Sequence, residues 1–578
     1  MCQGKRCKLQ SVALLLVCIL LSAWSLVYKN FADADGIVTG ALAFIAFAWI
    51  SITLYRRKAL PALEQVDVLF LLWMVYRWVR MAGPLNFGTL SEDVLCMGIW
   101  MYFRMMPVPV SRKILEWAVC LSAAVQVIVV LLQWSGYLPS HHPDFDVTGT
   151  FGNPGPLGIS LAMAMTIVMP GMVGNGRKVD VWKLIILVIL GFALFLSDSR
   201  AAWLSVVVAV CCLVALNRLK GRVRKIFLGV LPLAAVGLAC MLYFHRPVSA
   251  DARLQIWKNV AAASISSPIL GQGYGSFQST YMDFQSAQLA SQPKAQQWKA
   301  DDVLAQYNEP LGVLYELGLV GLSLFLVFVA CTLRQLHARY REGRACGLFV
   351  AVAYLTFSLF SYPSSISCLH VLVVACVASS LGQWKEVPGM GTVLLGRICS
   401  VATAVLALLG LALVPTRIHI QRTFSHLMYT DERDAGLPKS EQPMWLVEHD
   451  SHLLSQYAHV LLLCGDYEKA IPMLERQTQY VNTSRLQMDL ARAYEDAGNV
   501  GQALLHYCKA HAMRPGLIEP VYAQFCMYKA SNRNKALSLA RECIDIQPKV
   551  KNPKTEAMKA DARKFIARNA RFPARDRK

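Results

Sequence analysis

Four carboxylates stand where a polar segment gives way to an apolar run. Asp301, Asp302, Glu309 and Glu316 lie in DDVLAQYNEPLGVLYELGLVGL, residues 301–322. Charged groups are costly at membrane depth, so acids at such a boundary need water, a partner or a role. An Asp or Glu here could accept a proton from an attacking hydroxyl. The alternative is a solvated loop edge that caps the helix. Asp301, Asp302, Tyr307, Asn308 and Glu309 form the exposed edge. Glu316, about one turn inside a helix beginning near Pro310, reads as a capping or pairing group in the bundle. Two arginines complete the set: Arg200 after SDS, and Arg253 in DARLQIW. Paired guanidinium groups at a membrane mouth suit a diphosphate, because Arg presents planar, bidentate donors to phosphate oxygens. Taken singly, Arg200 also reads as an interfacial arginine or an ion pair with Asp198. In FGNPGP, residues 151–156, Asn153 is either a helix cap or an amide for hydrogen bonds.

The elements that must carry these residues are membrane helices. The chain has 578 residues, 55% hydrophobic and 16% charged, where a soluble protein is about a quarter charged. Its apolar residues are blocked into runs near 11–28, 37–55, 66–82, 91–106, 114–135, 155–173, 183–198, 201–217, 226–244, 311–332, 346–362, 365–383 and 393–415. This predicts an all-α fold, a polytopic helix bundle of 12–13 spans. The first run follows Lys5, Arg6 and Lys8 without a clear cleavage site, so it reads as a span rather than a leader. The net charge of +20 falls largely in short loops on one side. With the N-terminus inside, so are Arg56, Arg57 and Lys58, Arg112 and Lys113, Arg177 and Lys178, Lys220, Arg222, Arg224 and Lys225, Arg334, Arg339, Arg341 and Arg344, and Lys385. That is the positive-inside pattern, and it argues against nucleic acid as the partner. The seventeen cysteines form no close CxxC pairs and read as neither a disulfide nor a zinc framework. No cofactor is implied.

Two connections fall on the outer face. One runs from Gly136 to Pro156. The other, about 245–310, is long enough to fold over the mouth of the bundle. Its GQGYGSF run, 271–277, lacks the βαβ setting of a dinucleotide site and reads as a tight turn. The domains expected are therefore a membrane domain at 1–415, a linker at 416–450, helical repeats at 451–548 and a basic segment at 549–578. In the repeats Ala470, Ala503 and Ala536 recur every 33 residues, with Gly465 and Gly498, and Pro515 and Pro548, at the same spacing. That period resembles tetratricopeptide repeats.

Taken together, the ordered motifs resemble the family of bacterial O-antigen ligases, membrane protein O-oligosaccharyltransferases and polysaccharide polymerases. TFGNPGPLGISLA is similar to the family's F-x-N-x-N-x-x-A, with Gly155 at the second Asn. SDSRAAWLS is similar to S-x-S-R-x-A. DARLQIW, GQGYGSF and YNEPLGVLYELGLVG follow as R-x-x-x-W, G-x-G-x-G-x-F and H-N-x-x-L-x-x-x-x-E-x-G-x-x-G. The resemblance implies a metal-independent transfer from an undecaprenyl-diphosphate-linked glycan at the periplasmic face of the bacterial inner membrane. The acceptor would be a hydroxyl of lipid A–core, a polysaccharide or a protein. It implies that Arg200 and Arg253 hold the diphosphate. Tyr307 stands where the family has the acceptor-activating histidine, so Glu309, Asp301 or Asp302 takes that role, or the site works by orientation and charge, or activity is lost. The rival readings are a repeat-unit polymerase, a transporter, and a noncatalytic scaffold whose tail recruits a protein partner.

Overall fold

The computed structural model describes residues 14–21, 23–24, 32–56, 59–106, 108–142, 145–171, 180–245, 247–340, 346–388, 390–429, 443–548 and 552–570. Lys5, Arg6, Lys8, Arg57, Lys58, Arg177, Lys178, Arg341 and Arg344 lie outside the described residues, as do 430–442 and 571–578. The described chain is essentially all helical. Its one strand ladder is short and antiparallel, Ala59–Ala62 against Lys385–Pro388, with Ala59 opposite Pro388. Six helices are long and apolar enough to cross a membrane: Val38–Arg56, Lys113–Trp134, Arg200–Arg218, Gly221–Met241, Glu309–Tyr340 and Val393–Met428. Pro154–Val168, Val181–Leu196, Gly347–Ser358 and Ser367–Leu381 are apolar but shorter. The chain is a multi-pass membrane protein. The last span is longer than its apolar run, continuing as one helix, Met390–Tyr429, into what composition alone marks as linker.

The chain divides into two compact units. The first comprises Met1–Val79, Thr89–Trp257 and Gln306–His419. Lipid gives helices no hydrophobic reason to associate, so close packing at small residues and interhelical hydrogen bonds hold them. Ser51 Oγ donates to Ser400 O at 2.9 Å, and Ser400 Oγ returns a bond to Ser51 O at 2.8 Å. A Cβ on Gly158 would fall 2.4 Å from Ser199 Cβ, so the Pro154–Val168 helix meets the start of Arg200–Arg218 at contact distance.

One charged centre ties this unit together. Asp67 and Arg104 are both fully buried and paired at 2.9 Å. Asp67 also accepts from Trp100 Nε1 at 2.9 Å, Trp384 Nε1 at 2.7 Å and the Glu64 N–H at 2.9 Å. Arg104 donates further to Gly382 O and to Glu64. Glu64 then reaches Arg339 at 3.1 Å, close to the end of the Glu309–Tyr340 helix. Segments far apart in sequence are thereby pinned at one end of that helix.

The helix itself is broken once. Gly318 has φ 64° and ψ −167°, a region open essentially to glycine alone. A break frees backbone groups that lipid cannot satisfy. Tyr76 Oη donates to the Leu317 carbonyl at 3.2 Å and covers one of them.

The second unit comprises Arg80–Gly88, Lys258–Ala305 and Ile420–Lys578. The helices Ser451–Leu463 and Tyr467–Thr478, Ser484–Asp496 and Val500–Met513, Glu519–Ser531 and Arg533–Asp545 form successive pairs, each packed on its chain neighbours. The 33-residue spacing has a structural counterpart in their caps. Asp466, Asn499 and Asn532 accept from the N–H groups of Lys469, Gln502 and Lys535 at 3.3, 3.2 and 3.0 Å. Ala470, Ala503 and Ala536 are fully buried.

The long connection is split between the units, and its larger part joins these helices. The Asn482 N–H donates to Gln278 O at 2.8 Å, and its side chain to Asp283 at 3.0 Å. The GQGYGSF run is a turn paired with Arg80–Ala82. Tyr274 N–H donates to Arg80 O and Ala82 N–H to Tyr274 O. Gly273, at φ 106°, lies so close that a Cβ would sit 2.6 Å from that of Ala82.

Arg104→Leu should leave Asp67 buried and uncompensated, at a cost of about 3–5 kcal/mol. Thermal unfolding in detergent should show a large fall in midpoint, and the double variant with Asp67→Asn should recover part of it.

Candidate active site

The N-terminus of the Glu309–Tyr340 helix carries Asn308 and Glu309, with Tyr307 before it and Arg253 against the Tyr307 ring. Asn308 caps the helix, accepting the Leu311 N–H at 3.0 Å. Its amide also donates to Leu359 O at 3.0 Å. Glu309 accepts the Ser364 N–H at 2.7 Å. One residue earlier, Tyr307 adopts a left-handed backbone with φ 53°. For a bulky residue that costs about 1–2 kcal/mol and persists only where surroundings over-determine it. Here they do. Trp257 Nε1 donates to Tyr307 O at 3.3 Å, and the Tyr307 ring meets Tyr362 edge-on with centroids 5.0 Å apart.

Arg253 and Trp257 are four residues apart on the helix Pro247–Ser264, so both project from one face. The Arg253 guanidinium lies 5.3 Å from the Tyr307 ring centroid and donates to Phe360 O at 3.0 Å. Burial lowers its proton affinity below the ordinary arginine range, and the nearby positive charge of Arg200 adds to this, against the opposing influence of Tyr307 and Tyr362. Burial also pushes the Tyr362 phenol up to about 12, with Tyr307 adding and Arg253 opposing. Arg200 opens the helix Arg200–Arg218, just after Asp198, another left-handed residue at φ 52°. A guanidinium on the first residue of a helix, at the positive end of its dipole, favours an anion.

A third approach comes from FGNPGP. Asn153 caps the helix Pro154–Val168 by accepting the Gly155 N–H at 2.9 Å. A Cβ on Gly155 would lie 3.7 Å from Phe357 and 3.8 Å from Ser361 Oγ, an ordinary contact distance. The preceding backbone is held by two buried glutamines seven residues apart on the helix Val108–Trp134. Gln133 accepts the N–H groups of Thr148 and Gly149 at 3.0 and 2.8 Å and donates to Gly149 O at 3.1 Å. Gln126 accepts the Thr150 N–H at 3.0 Å and donates to Thr150 Oγ1 at 2.6 Å.

The segment 357–364 is thus the common surface, touched by Gly155, Arg253, Trp257, Tyr307, Asn308 and Glu309. It goes unremarked in the sequence reading, although its signal is a polar, aromatic turn, SYPSS, between two apolar runs. The glutamines also had a signal: two amides at helical spacing inside an apolar run, where a polar side chain needs a partner.

Asp301 and Asp302 have partners of their own. Both belong to the second unit, where Asp301 pairs with Arg514 Nε at 3.0 Å. Asp302 accepts from Ser484 N–H at 2.9 Å and Ser484 Oγ at 2.8 Å. Their carboxylates bind the helical pairs, so Glu309 and Glu316 are the boundary acids that share a unit with the arginines. Glu316 lies half-buried two residues before the break at Gly318. Among the described residues, no group of three or more His, Cys, Asp or Glu is arranged to hold a metal ion.

Arg253, Tyr307, Asn308 and Glu309 are thus held against one turn at one helix terminus. The sequence around them is shared. The family described as O-Antigen ligase matches residues 185–326, so a domain of that family is present, and it contains Arg200, Arg253, Tyr307, Asn308, Glu309 and Glu316. A Rickettsia typhi protein named "Putative polysaccharide ligase" is 25% identical over 224 residues, 35% of this chain and 51% of that protein. The chain therefore spans about half the length of this curated relative.

Gln133→Leu would strand the Thr148 and Gly149 N–H groups, at about 1–3 kcal/mol for each unsatisfied group. Hydrogen exchange should accelerate at Thr148 and Gly149, while Gln133→Glu, which keeps the acceptor, should stay closer to the parent.

Proposed function

We propose that the chain is a membrane ligase that moves a glycan from an undecaprenyl-diphosphate carrier to an acceptor hydroxyl of lipid A–core or a protein, at the periplasmic face of a bacterial inner membrane. The observation that carries this reading is the Arg253 guanidinium set against the Tyr307 ring, with the charge of Arg200 acting on it, inside the stretch matched by the O-antigen ligase family. The acceptor oxygen attacks the anomeric carbon and the carbon–oxygen bond to the diphosphate breaks. Undecaprenyl diphosphate leaves with the bonding pair, and the two arginines neutralise the charge it gains. The hydroxyl proton passes to Glu309, the carboxylate that accepts the Ser364 N–H. The reaction needs no bound cofactor in this scheme.

The four shorter apolar helices and the apolar runs near 11–28, 66–82 and 91–106 are counted as spans as well, bringing the total to 12–13, with the second unit on the periplasmic side. Its 33-residue caps support a tetratricopeptide-like array, which would bind an acceptor protein or a partner enzyme. The ladder between 59–62 and 385–388 is consistent with this orientation, since it joins two loops that the positive-inside pattern puts on the same face.

Deleting the gene and analysing surface glycans tests the acceptor. Loss of long chains on lipid A–core marks a ligase, single repeat units left on the core mark a polymerase, and unglycosylated periplasmic proteins mark a protein transferase. Complementation with Arg200→Ala or Arg253→Ala should lower transfer by about 10²–10³-fold. Wild-type glycosylation by either variant at normal abundance would sink the reading.

Alkaline phosphatase fused after Leu270 should be active, and a fusion after Arg341 inactive. The reverse pattern would invert the proposed orientation.

A further inference from the structure

Tyr307 occupies the position where the acceptor-activating group is expected, yet its surroundings serve a different purpose. Its contacts run to Arg253 and to the helix that carries Arg253. The guanidinium carbon stands 5.3 Å from the ring centroid, within the range of a cation–π contact. Such a contact uses the charge of the guanidinium and none of its N–H donors. One donor, on Nη1, is taken by Phe360 O at 3.0 Å. These two contacts fix the guanidinium from its face and from one edge and commit a single N–H.

The Tyr307 ring is fixed in its turn. Tyr362 closes on it edge-to-face at 5.0 Å. Trp257, one turn along from Arg253, donates to the Tyr307 carbonyl at 3.3 Å, so the two residues of one helix face grip the ring and the backbone of the same tyrosine. The left-handed backbone at φ 53° is the conformation that this double grip imposes. What the structure over-determines here is the position of the ring.

We infer that Tyr307 is a positioning residue: its ring holds the Arg253 guanidinium in the orientation that receives a diphosphate, and its hydroxyl carries no proton in the transfer. This rests on the reading of Arg253 as a diphosphate ligand. It also assigns the chemistry on the acceptor side to Glu309 rather than to the residue at 307. An aromatic ring is then the required feature at this position, and any group that presents a π-face to Arg253 should serve.

The test uses the full-length protein in detergent, with undecaprenyl diphosphate as the binding probe, and transfer in the complemented deletion strain as the second readout. Tyr307→Phe should bind the probe within about twofold of wild type and retain transfer with an unchanged pH profile. Tyr307→Gly keeps the left-handed backbone at no steric cost but removes the ring. It should fold, yet weaken probe binding by about tenfold, the scale of a partly desolvated cation–π contact. Arg253→Ala should weaken it at least as much. Thermal unfolding of each variant separates loss of the fold from loss of the site. If Tyr307→Phe binds normally but loses transfer, the hydroxyl does chemistry and the inference is wrong, while the ligase reading stands. If Tyr307→Gly binds the probe normally, the ring does not position Arg253 and the inference is again wrong. If the wild type does not bind the probe, or Arg253→Ala binds it as well as the wild type, the diphosphate reading fails and takes this inference with it.

Discussion

The buried pair of Asp67 and Arg104 is the interaction on which the membrane unit depends. Two charges removed from water are tolerated only when geometry is good and the remaining donors and acceptors are used. That condition recruits partners from across the chain: Trp100 on the same helix as Arg104, Gly382 and Trp384 nearly three hundred residues later, and Glu64, which passes the network to Arg339. The ends of several helices are thereby held in one register. The Glu309–Tyr340 helix is anchored at its C-terminal end by this centre, and its N-terminal end is presented in a defined place. Precision at Glu309 is thus underwritten by charges at the other end of the same helix.

The same rule, that every polar group in a dry interior must find a partner, shapes the opposite end. There the loops cross from span to span and expose backbone groups, and side chains from the helices satisfy them. Gln126 and Gln133 hold Thr148–Thr150, Asn153 and Asn308 cap their helices, Glu309 takes the Ser364 N–H, and Tyr76 covers the carbonyl freed at Gly318. The backbone strain at Asp198 and Tyr307 falls beside Arg200 and Arg253. Strain of that kind is retained only where the surroundings over-determine it.

The second unit shows what the polar side chains of the long loop are bonded to. Residues 258–305 contain acids, amides and glycines that suit a mouth or lid. In the structure they are backbone and side-chain partners of the C-terminal helical pairs, and Asp301 and Asp302 are spent on Arg514 and Ser484. The cap residues Asp466, Asn499 and Asn532 repeat at the same interval as the buried alanines, because each pair needs both a terminated N-terminus and a close helix contact.

Sequence by itself determined what depends on local properties. Apolar runs dictated membrane helices, since a span must satisfy its own backbone. Loop charge set the expectation of a consistent alternation. Spaced motifs pointed to Arg200, Arg253 and the Tyr307–Glu316 stretch, and a 33-residue interval pointed to paired helices. Tertiary structure alone decided the partners. Nothing local says that Asp67 will find Arg104, that two glutamines in an apolar run will clamp one loop, that 357–364 will be the surface on which the site assembles, or that of four boundary acids Glu309 and Glu316 share a unit with the arginines while Asp301 and Asp302 do not. Those outcomes follow from the requirement that each buried charge and each unpaired backbone group be met, and distant segments meet it in a way that spacing along the chain does not encode.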